Sequence, residues 1–348
     1  MLVNLYALSR AELNDFIVDL GEERYRARQI WEWMYRQRVD RFEAMSNLPG
    51  ATIARLEERC RLGSHELVTR QRSRDGTDKR LYRLHDGQLI ESVLMPYDDD
   101  RMTACISSQV GCAMGCVFCA TGQMGFGRNL SASEIFEQAM RFARELARRG
   151  QRLSNVVFMG MGEPFHNYDA SLAALRQLMS RLEIGARHIT LSTVGLAPQI
   201  RRFADEGLQA RLAVSLHKTD NAQRSALMPV NTRWNIDELL DACRYYVTRT
   251  NRRVTFEWAA ISGENDTCEE AHRLGRLLTG LLCHVNIIPL NPTGGYAGVP
   301  AQSARVKRFC DVLRGYGISS TVRVRRGIDI DAGCGQLITT VLRNQQLG

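Results

Sequence analysis

Residues 111–119 read Gly-Cys-Ala-Met-Gly-Cys-Val-Phe-Cys, and this stretch places Cys112, Cys116 and Cys119 in a C-x3-C-x2-C spacing on one short loop. Three thiolates on one tight loop are soft ligands that suit an iron–sulfur cluster. A structural zinc site needs four protein ligands, usually in paired spacings. A zinc site completed by His217 is the alternative, although the spacing fits the zinc patterns poorly. A four-iron cluster held by only three cysteines leaves one iron open to a small molecule.

From about residue 96 the chain alternates predicted strands with helical patterns, and the cysteine loop follows the first of these strands. Alternating βα units imply a parallel sheet with right-handed crossovers. Six or seven such units favour an α/β barrel, incomplete or full, over a short open sheet. Barrels of this kind carry their active sites at the carboxyl ends of the strands. The predicted strands cover residues 103–107, 155–159, 188–192, 211–215, 253–258, 284–289 and 319–324.

A smaller domain is predicted before the barrel. Residues Ser9 to Glu12 form a capping box that opens a first helix, and two more helical segments follow to about residue 61. Two Asp-Gly turns, at residues 75–76 and 86–87, lie between alternating segments and predict β-hairpins. The predicted division is therefore a helical and β-hairpin domain at residues 1–95 and an α/β core at residues 96–348.

Composition narrows the class of protein further. The 348 residues are 44% hydrophobic and 24% charged, which excludes disorder and collagen-like structure. The N-terminus lacks the order of a signal peptide and no stretch is long enough to span a membrane, so we expect a soluble, cytoplasmic protein. Ten cysteines in such a chain favour metal binding or catalysis over disulfides. The net charge of +8 fits either a nucleic-acid partner or an ordinary arginine-rich surface.

Several residues directly follow the later predicted strands. Each taken alone is explained by a turn or a helix cap, as in the Gly-rich turn at residues 159–164. Together they surround one mouth of the predicted barrel, which is where a bound small molecule is expected. They are Gly162, Glu163, Ser192, Ser215, Leu216, His217 and Asn291.

The cysteine loop after the first barrel strand resembles that of the radical S-adenosylmethionine (SAM) superfamily, and residues 159–164 resemble its glycine–glutamate motif. Segments 105–112, 224–229 and 327–337 are similar to the RlmN/Cfr family of RNA adenine methyltransferases, and the chain is most like the RlmN side. The similarity extends over nearly the whole chain. One departure is Gly333, where the family usually has alanine.

The resemblance implies an incomplete (βα)6-type radical SAM barrel and two cofactors. One [4Fe-4S] cluster would be held by Cys112, Cys116 and Cys119. SAM would be bound by the strand-end residues named above, and two SAM molecules would be used per turnover, one as methyl donor and one as radical source.

The resemblance also implies roles for three further residues. Cys334 would carry the methyl group as S-methylcysteine, Glu91 would accept the adenine proton, and Cys105 would release the product by forming a transient disulfide with Cys334. From the residue pattern alone, Glu91 is better interpreted as a solvent-facing hairpin carboxylate. For Cys105 and Cys334 the alternative to this joint role is that they are two unrelated core thiols.

The implied reaction is methylation of C2 of adenosine 2503 in 23S rRNA, with C2 of adenosine 37 in tRNA as a second target. The partners would be 23S rRNA, tRNA, a flavodoxin-type electron donor and a thiol reductant, with no membrane. The nearest alternative is Cfr-type methylation of C8 of the same rRNA adenosine, which gives antibiotic resistance. An alternative of another class is a non-catalytic RNA-binding Fe-S protein.

Overall fold

The computed structural model describes residues 2–337. Its strands are β1 (Val3–Asn4), β2 (Cys60–Arg61), β3 (Glu66–Arg72), β4 (Asp78–Arg83), β5 (Leu89–Pro96), β6 (Met102–Cys105), β7 (Gln109–Gly111), β8 (Phe126–Asn129), β9 (Asn155–Phe158), β10 (Ile189–Thr193), β11 (Arg211–Ser215), β12 (Val254–Ala260), β13 (Cys283–Pro289) and β14 (Ser319–Val322). Its α-helices are α1 (Arg10–Asp19), α2 (Tyr25–Glu32), α3 (Gly50–Arg59), α4 (Ala120–Gln123), α5 (Ala132–Ala147), α6 (Tyr168–Arg181), α7 (Ala197–Asp205), α8 (Asn221–Leu227), α9 (Ile236–Thr250), α10 (Cys268–Leu278) and α11 (Ser303–Gly315).

One ten-stranded sheet organises the molecule, with the strand order β14-β13-β12-β11-β10-β9-β6-β5-β4-β3. The run from β6 through β9 to β14 is parallel, whereas β3, β4, β5 and β6 pair antiparallel. Within the described residues β14 and β3 are the two free edges, so the barrel is incomplete. The predicted α/β class and incomplete barrel are confirmed, and all seven predicted strands are present.

The helices that alternate with the strands pack their apolar faces against the sheet. Helix α5 opens with a capping box between Ser131 and Glu134 and is buried on most of its surface. Its outer side is covered by the N-terminal helices, where the Tyr6 ring meets Phe136 edge-on at 5.8 Å between ring centroids. The Arg144 guanidinium donates to the Tyr6 hydroxyl at 2.6 Å. The predicted capping box of Ser9 and Glu12 is confirmed at the start of α1.

The hairpin strands are part of the barrel sheet. Strand β5 pairs with β6 through Val93↔Cys105, Leu94↔Ala104 and Met95↔Thr103, so the backbone ladder crosses the predicted boundary at residue 95. The division into domains at residues 1–95 and 96–348 therefore stays a prediction, and the hairpins belong to the surroundings of the barrel mouth.

The chain beyond β14 spans the gap between the two free edges. The Gly327 N–H donates to the Asp75 carboxylate at 2.9 Å, and the Ser73 hydroxyl donates to Asp329 at 2.5 Å, which ties this segment to the β3–β4 turn. Further on, the Ala120 N–H donates to the Gly335 carbonyl at 2.8 Å. The segment that carries Cys334 is thereby fixed between the hairpin and the cysteine loop. None of the helices in residues 2–337 combines the length and the apolar character needed to cross a lipid bilayer.

Candidate active site

The cysteine loop is held in shape by close backbone contacts. The small β7–β8 pair flanks it, and the Cys112 N–H donates to the Gly125 carbonyl at 2.7 Å. Gly111 has a φ of +69°, and a side chain there would collide with the Gly125 backbone, so only glycine fits. The Val117 N–H donates to Leu227 O at 3.1 Å, which anchors the loop to α8. Three thiols thus lie on a fixed turn directly above the barrel.

The turn after β9 packs against the end of β6. Gly160 and Gly162 lie so close to Ile106 and Gln109 that an added Cβ would approach their atoms to 2.7 and 2.5 Å. This packing fixes Glu163, whose N–H donates to Gln109 Oε1 at 2.8 Å. The Glu163 carboxylate accepts the N–H groups of Phe165 and Val194, and burial raises its pKa to about 7.

A cavity of about 150 Å³ opens at the carboxyl ends of the strands, where barrels of this kind bind their small-molecule ligands. The sequence-predicted residues that line it are Cys116, Cys119, Gly162, Glu163, Ser192, Ser215, His217, Asn291 and Cys334. Residues predicted at the ends of different strands therefore line one common cavity.

His217 and Asn291 offer polar atoms to this cavity. His217 Nδ1 accepts the Ala259 N–H at 2.9 Å, which leaves the ring proton on Nε2. Burial, together with the charge of Arg224, lowers the pKa of His217 to about 3, so the ring is neutral. Asn291 donates to the Cys334 carbonyl at 3.0 Å, and its buried Oδ1 has no partner within residues 2–337. An unpartnered acceptor in a cavity is suited to a ligand N–H.

Leu216 and Cys112 do not line the cavity. The Leu216 side chain is fully buried in the hydrophobic core. Its N–H donates to Glu257 O at 3.1 Å, and its carbonyl accepts from Lys218 N and Arg224 Nε. Leu216 therefore has no group directed at the cavity. It adjoins the site only because its sequence neighbours Ser215 and His217 line the cavity.

Cys105 and Cys334 line a second, smaller cavity, and Cys334 borders both cavities. The two thiols are 229 residues apart in sequence, and the strand end of β6 and the segment after β14 bring them together. Burial raises the pKa of Cys105 to about 12, which the neighbouring Cys334 reinforces and Arg323 opposes. Burial likewise raises the pKa of Cys334, and Arg323 lowers it. Arg323 is thus the cation that favours the thiolate form of either cysteine.

Glu91 is buried on the third strand from the β3 edge of the sheet. It lies on β5, between β4 and β6, and only 3% of its surface is exposed. The interpretation as a solvent-facing hairpin carboxylate is therefore wrong, since strands on both sides and the turn after β9 cover it. The Glu91 N–H donates to the Met161 sulfur at 3.3 Å, and Ser107 Oγ donates to its carbonyl at 2.6 Å.

Two charged residues of the site were given no role by the sequence. Arg224 is fully buried and donates to the carbonyls of Leu216, Val194 and Ser215 and to Asn231. Burial lowers its pKa to about 10, whereas the nearby thiol of Cys116 raises it. Glu257 lines the larger cavity and accepts the Asn286 amide at 2.7 Å. The sequence signal for Arg224 was its place at the start of the 224–229 motif, but the spacing of the motif does not reveal that the arginine is buried or which groups it contacts.

The chemistry of these residues fits a cluster and SAM. Cys112, Cys116 and Cys119 are near enough to influence one another's ionisation, and burial raises the pKa of each. Buried thiols of this kind become ligands when a metal stabilises the thiolate. Residues 2–337 contain no group of three His, Cys, Asp or Glu side chains already set at metal-binding distances. The loop therefore supplies the right ligands in the right place without a preformed coordination shell.

Comparison with known proteins defines the class. The model of the Radical SAM superfamily matches residues 106–275, and one described as the ribosomal RNA large subunit methyltransferase N-terminal domain matches residues 3–62. The crystal structure of a radical SAM methyltransferase from Sphaerobacter thermophilus superposes with a TM-score of 0.93 at 50% identity, covering 96% of this chain and 99% of that one. The fold is that of a radical SAM protein, a class that implies a [4Fe-4S] cluster and SAM.

Curated relatives define the family. The dual-specificity RNA methyltransferase RlmN 1 of Myxococcus xanthus is 51% identical over 346 residues, covering 99% of this chain and 96% of the relative. The probable dual-specificity RNA methyltransferase RlmN of Halalkalibacterium halodurans is 44% identical, covering 97% and 93%. The chain belongs to the RlmN family, as its sequence motifs predict.

Proposed function

We propose that this chain methylates C2 of adenosine 2503 in 23S rRNA and C2 of adenosine 37 in tRNA, in the cytoplasm. The observation that carries the proposal is that Cys334 borders both cavities. One cavity holds the cysteine loop and the strand-end residues predicted to bind SAM. The other holds Cys105. A sulfur in this position can receive a methyl group from one side and pass it on at the other.

The residues divide the reaction between them. Cys112, Cys116 and Cys119 would hold the cluster, and Gly162, Glu163, Ser192, Ser215, His217 and Asn291 would form the SAM site. Leu216 would contribute only through its position between Ser215 and His217. When bound, the cluster and two SAM molecules per turnover supply the methyl group and the radical that activates it. Cys334 loses its proton and accepts the methyl group on sulfur, for which it must be a thiolate. The electron-poor C2 of adenine does not attack a sulfonium directly, so a radical route is needed.

Two groups complete the turnover. The activated methyl carbon on Cys334 bonds to C2 of the adenine, which loses a proton to Glu91 and one electron to the bound cluster, so a methylene group joins the RNA to the Cys334 sulfur. The Cys105 thiolate then attacks that sulfur. The S–S bond forms as the S–C bond breaks, and the released methylene takes up a proton and becomes the methyl group of the RNA. The product on the protein is a Cys105–Cys334 disulfide, so each cycle needs two electrons from a thiol reductant to restore both thiols. A flavodoxin-type protein is the proposed electron donor to the cluster.

The test is mass spectrometry of nucleosides from 23S rRNA and tRNA after expression in a host that lacks its own adenosine C2 methyltransferase. We expect 2-methyladenosine in both RNA fractions and none in cells that express Cys334→Ala. 8-Methyladenosine would overturn the C2 assignment in favour of Cfr-type chemistry. Absence of both products, with the cluster absorbance intact, would overturn RNA adenine methylation altogether.

A further inference from the structure

The segment directly after β14 borders the cavity of the two thiols. Residues Arg323, Arg325 and Arg326 all line that cavity together with Cys105 and Cys334. Three arginines within four residues give this rim a concentrated positive charge. No function discussed so far uses the charge of Arg325 or Arg326.

Two of these arginines are held by their surroundings. The Arg326 guanidinium lies over the Tyr97 ring at 4.5 Å from the centroid and 3.9 Å from the Asp98 carboxylate. Arg323 contacts the sulfur atoms of Met159 at 3.7 Å and Met95 at 4.0 Å. Both side chains therefore point toward the protein.

Arg325 differs from its neighbours. Its side chain is exposed and makes no hydrogen bond or ion pair with any residue between 2 and 337. An exposed guanidinium is preorganised for a bidentate contact with a phosphate. It is the free cation of this rim within the described part of the chain.

Apolar side chains alternate with the arginines in the same stretch. Val324 is 69% exposed, Val322 is 46% exposed and Ile328 is 44% exposed. Val324 also lines the thiol cavity, and exposed apolar residues grouped beside a cavity are typical of binding surfaces. Arginine interleaved with apolar contact surface suits single-stranded nucleic acid, because phosphates pair with the cations and base faces pack on the side chains.

We propose that residues 322–328, the thiol-cavity rim, bind the single-stranded RNA that flanks the target adenine. Arg325 contacts a phosphate next to the target nucleotide, and Val324 packs against the face of an adjacent base. The inference rests on the proposed function, since an adenine that reaches Cys334 must be turned out of its stack. The rim borders the cavity in which Cys334 lies beside Cys105. The polyanionic substrate complements the arginines and the net charge of +8.

The experiment measures binding of a fluorescein-labelled 23S rRNA fragment that contains the target adenosine, over a series of salt concentrations. We expect Arg325→Ala to weaken binding several-fold and to reduce the slope of log affinity against log salt by about one. Arg308→Ala is the matched control, because Arg308 is exposed on α11, forms no side-chain hydrogen bond or ion pair among residues 2–337, and lies outside the rim. Its affinity and slope should equal those of the wild type.

A second variant tests the apolar contact. Val324→Ser should weaken binding about as much at high salt as at low salt, since no charge is lost. Methyl transfer to Cys334, read from the mass of its peptide, should stay unchanged in both rim variants because that step needs no RNA. If Arg325→Ala binds RNA with the affinity and salt slope of the wild type, and the wild type methylates RNA normally, the proposal about the rim is wrong and the proposed function stands. A wild type that neither binds nor methylates the fragment would overturn the proposed function and the rim with it.

Discussion

The Lys79 ammonium lies 3.6 Å from the Glu91 carboxylate, and both side chains are about 95% buried. Lys79 also donates to the Asp331 carbonyl at 3.3 Å. One buried cation thus connects the proposed proton acceptor on the hairpin with the segment that carries Cys334. Lys79 is one of three lysines in the chain, and its alternating sequence context does not distinguish it from an exposed strand residue.

Replacing Lys79 by methionine should cost on the order of 3 kcal/mol of folding free energy, because the buried Glu91 carboxylate loses the ammonium group that lies 3.6 Å away. Thermal unfolding followed by circular dichroism measures this loss. The double variant Lys79→Met/Glu91→Gln should recover most of the stability, since neither charge remains, yet should stay inactive in methylation. Recovery of activity in the double variant would show that Glu91 is not the proton acceptor.

Replacing Cys105 by alanine should trap the enzyme covalently on its RNA through Cys334, because no thiol remains to attack the cross-linked sulfur. A labelled RNA fragment run on a denaturing gel should show a protein–RNA band. Cys310→Ala, which removes another buried thiol, should show none. Absence of the band in Cys105→Ala would remove Cys105 from the mechanism.

Replacing Cys116 by alanine should remove the visible absorbance of an anaerobically reconstituted iron–sulfur cluster, because one of its three protein ligands is lost. Cys112→Ala and Cys119→Ala should behave alike. Cys268→Ala, at the start of α10, is the control that keeps the absorbance and the iron content. An unchanged spectrum in any of the loop variants would contradict the ligand assignment.

The neutral form of His217 makes stability depend on pH. Its pKa is lowered to about 3 in the folded protein by burial and by Arg224, so the folded state binds fewer protons than the unfolded chain at mildly acidic pH. The contribution of His217 to the free energy of unfolding is therefore lost as the pH falls below about 6.5. The loss is on the order of 2 kcal/mol between pH 7 and pH 5.

His217→Asn tests this contribution. Asparagine tolerates the left-handed backbone of this position, where φ is 60°. The variant should lose less stability than the wild type between pH 7 and pH 5. Glu163 and Glu257, whose pKa values are raised to about 7, act in the opposite direction but are the same in both proteins. Parallel pH profiles of unfolding would contradict a buried neutral imidazole.

The sequence predicted the strands of the barrel well because each is a short apolar run between turn signals. It also placed Glu163, Ser192 and Asn291 at one mouth, since the carboxyl ends of parallel strands meet there. The burial of Glu91 could not be predicted, because it depends on which strands lie beside β5 and on the turn after β9 that packs against it. The same reason hid the pairing of β5 with β6 across residue 95.

Gly333 shows a further limit of sequence patterns. A side chain at this position would approach Gln336 Oε1 to 2.5 Å and Asn291 Nδ2 to 2.7 Å, so the glycine gives room to two amides that hold the Cys334 segment. The motif alone marks the position as a departure from alanine. Only the three-dimensional contacts show which neighbours take up the space.

The shared cavity of Cys105 and Cys334 has a consequence for the conformational entropy of the chain. A disulfide formed there would close a loop of roughly 230 residues that includes nearly the whole barrel, and loop-closure entropy of this length corresponds to as much as roughly 5 kcal/mol. The oxidised protein left after each turnover would then resist unfolding more than the reduced one. Reduction would return the enzyme to its active form and, in the same step, to its less stable one.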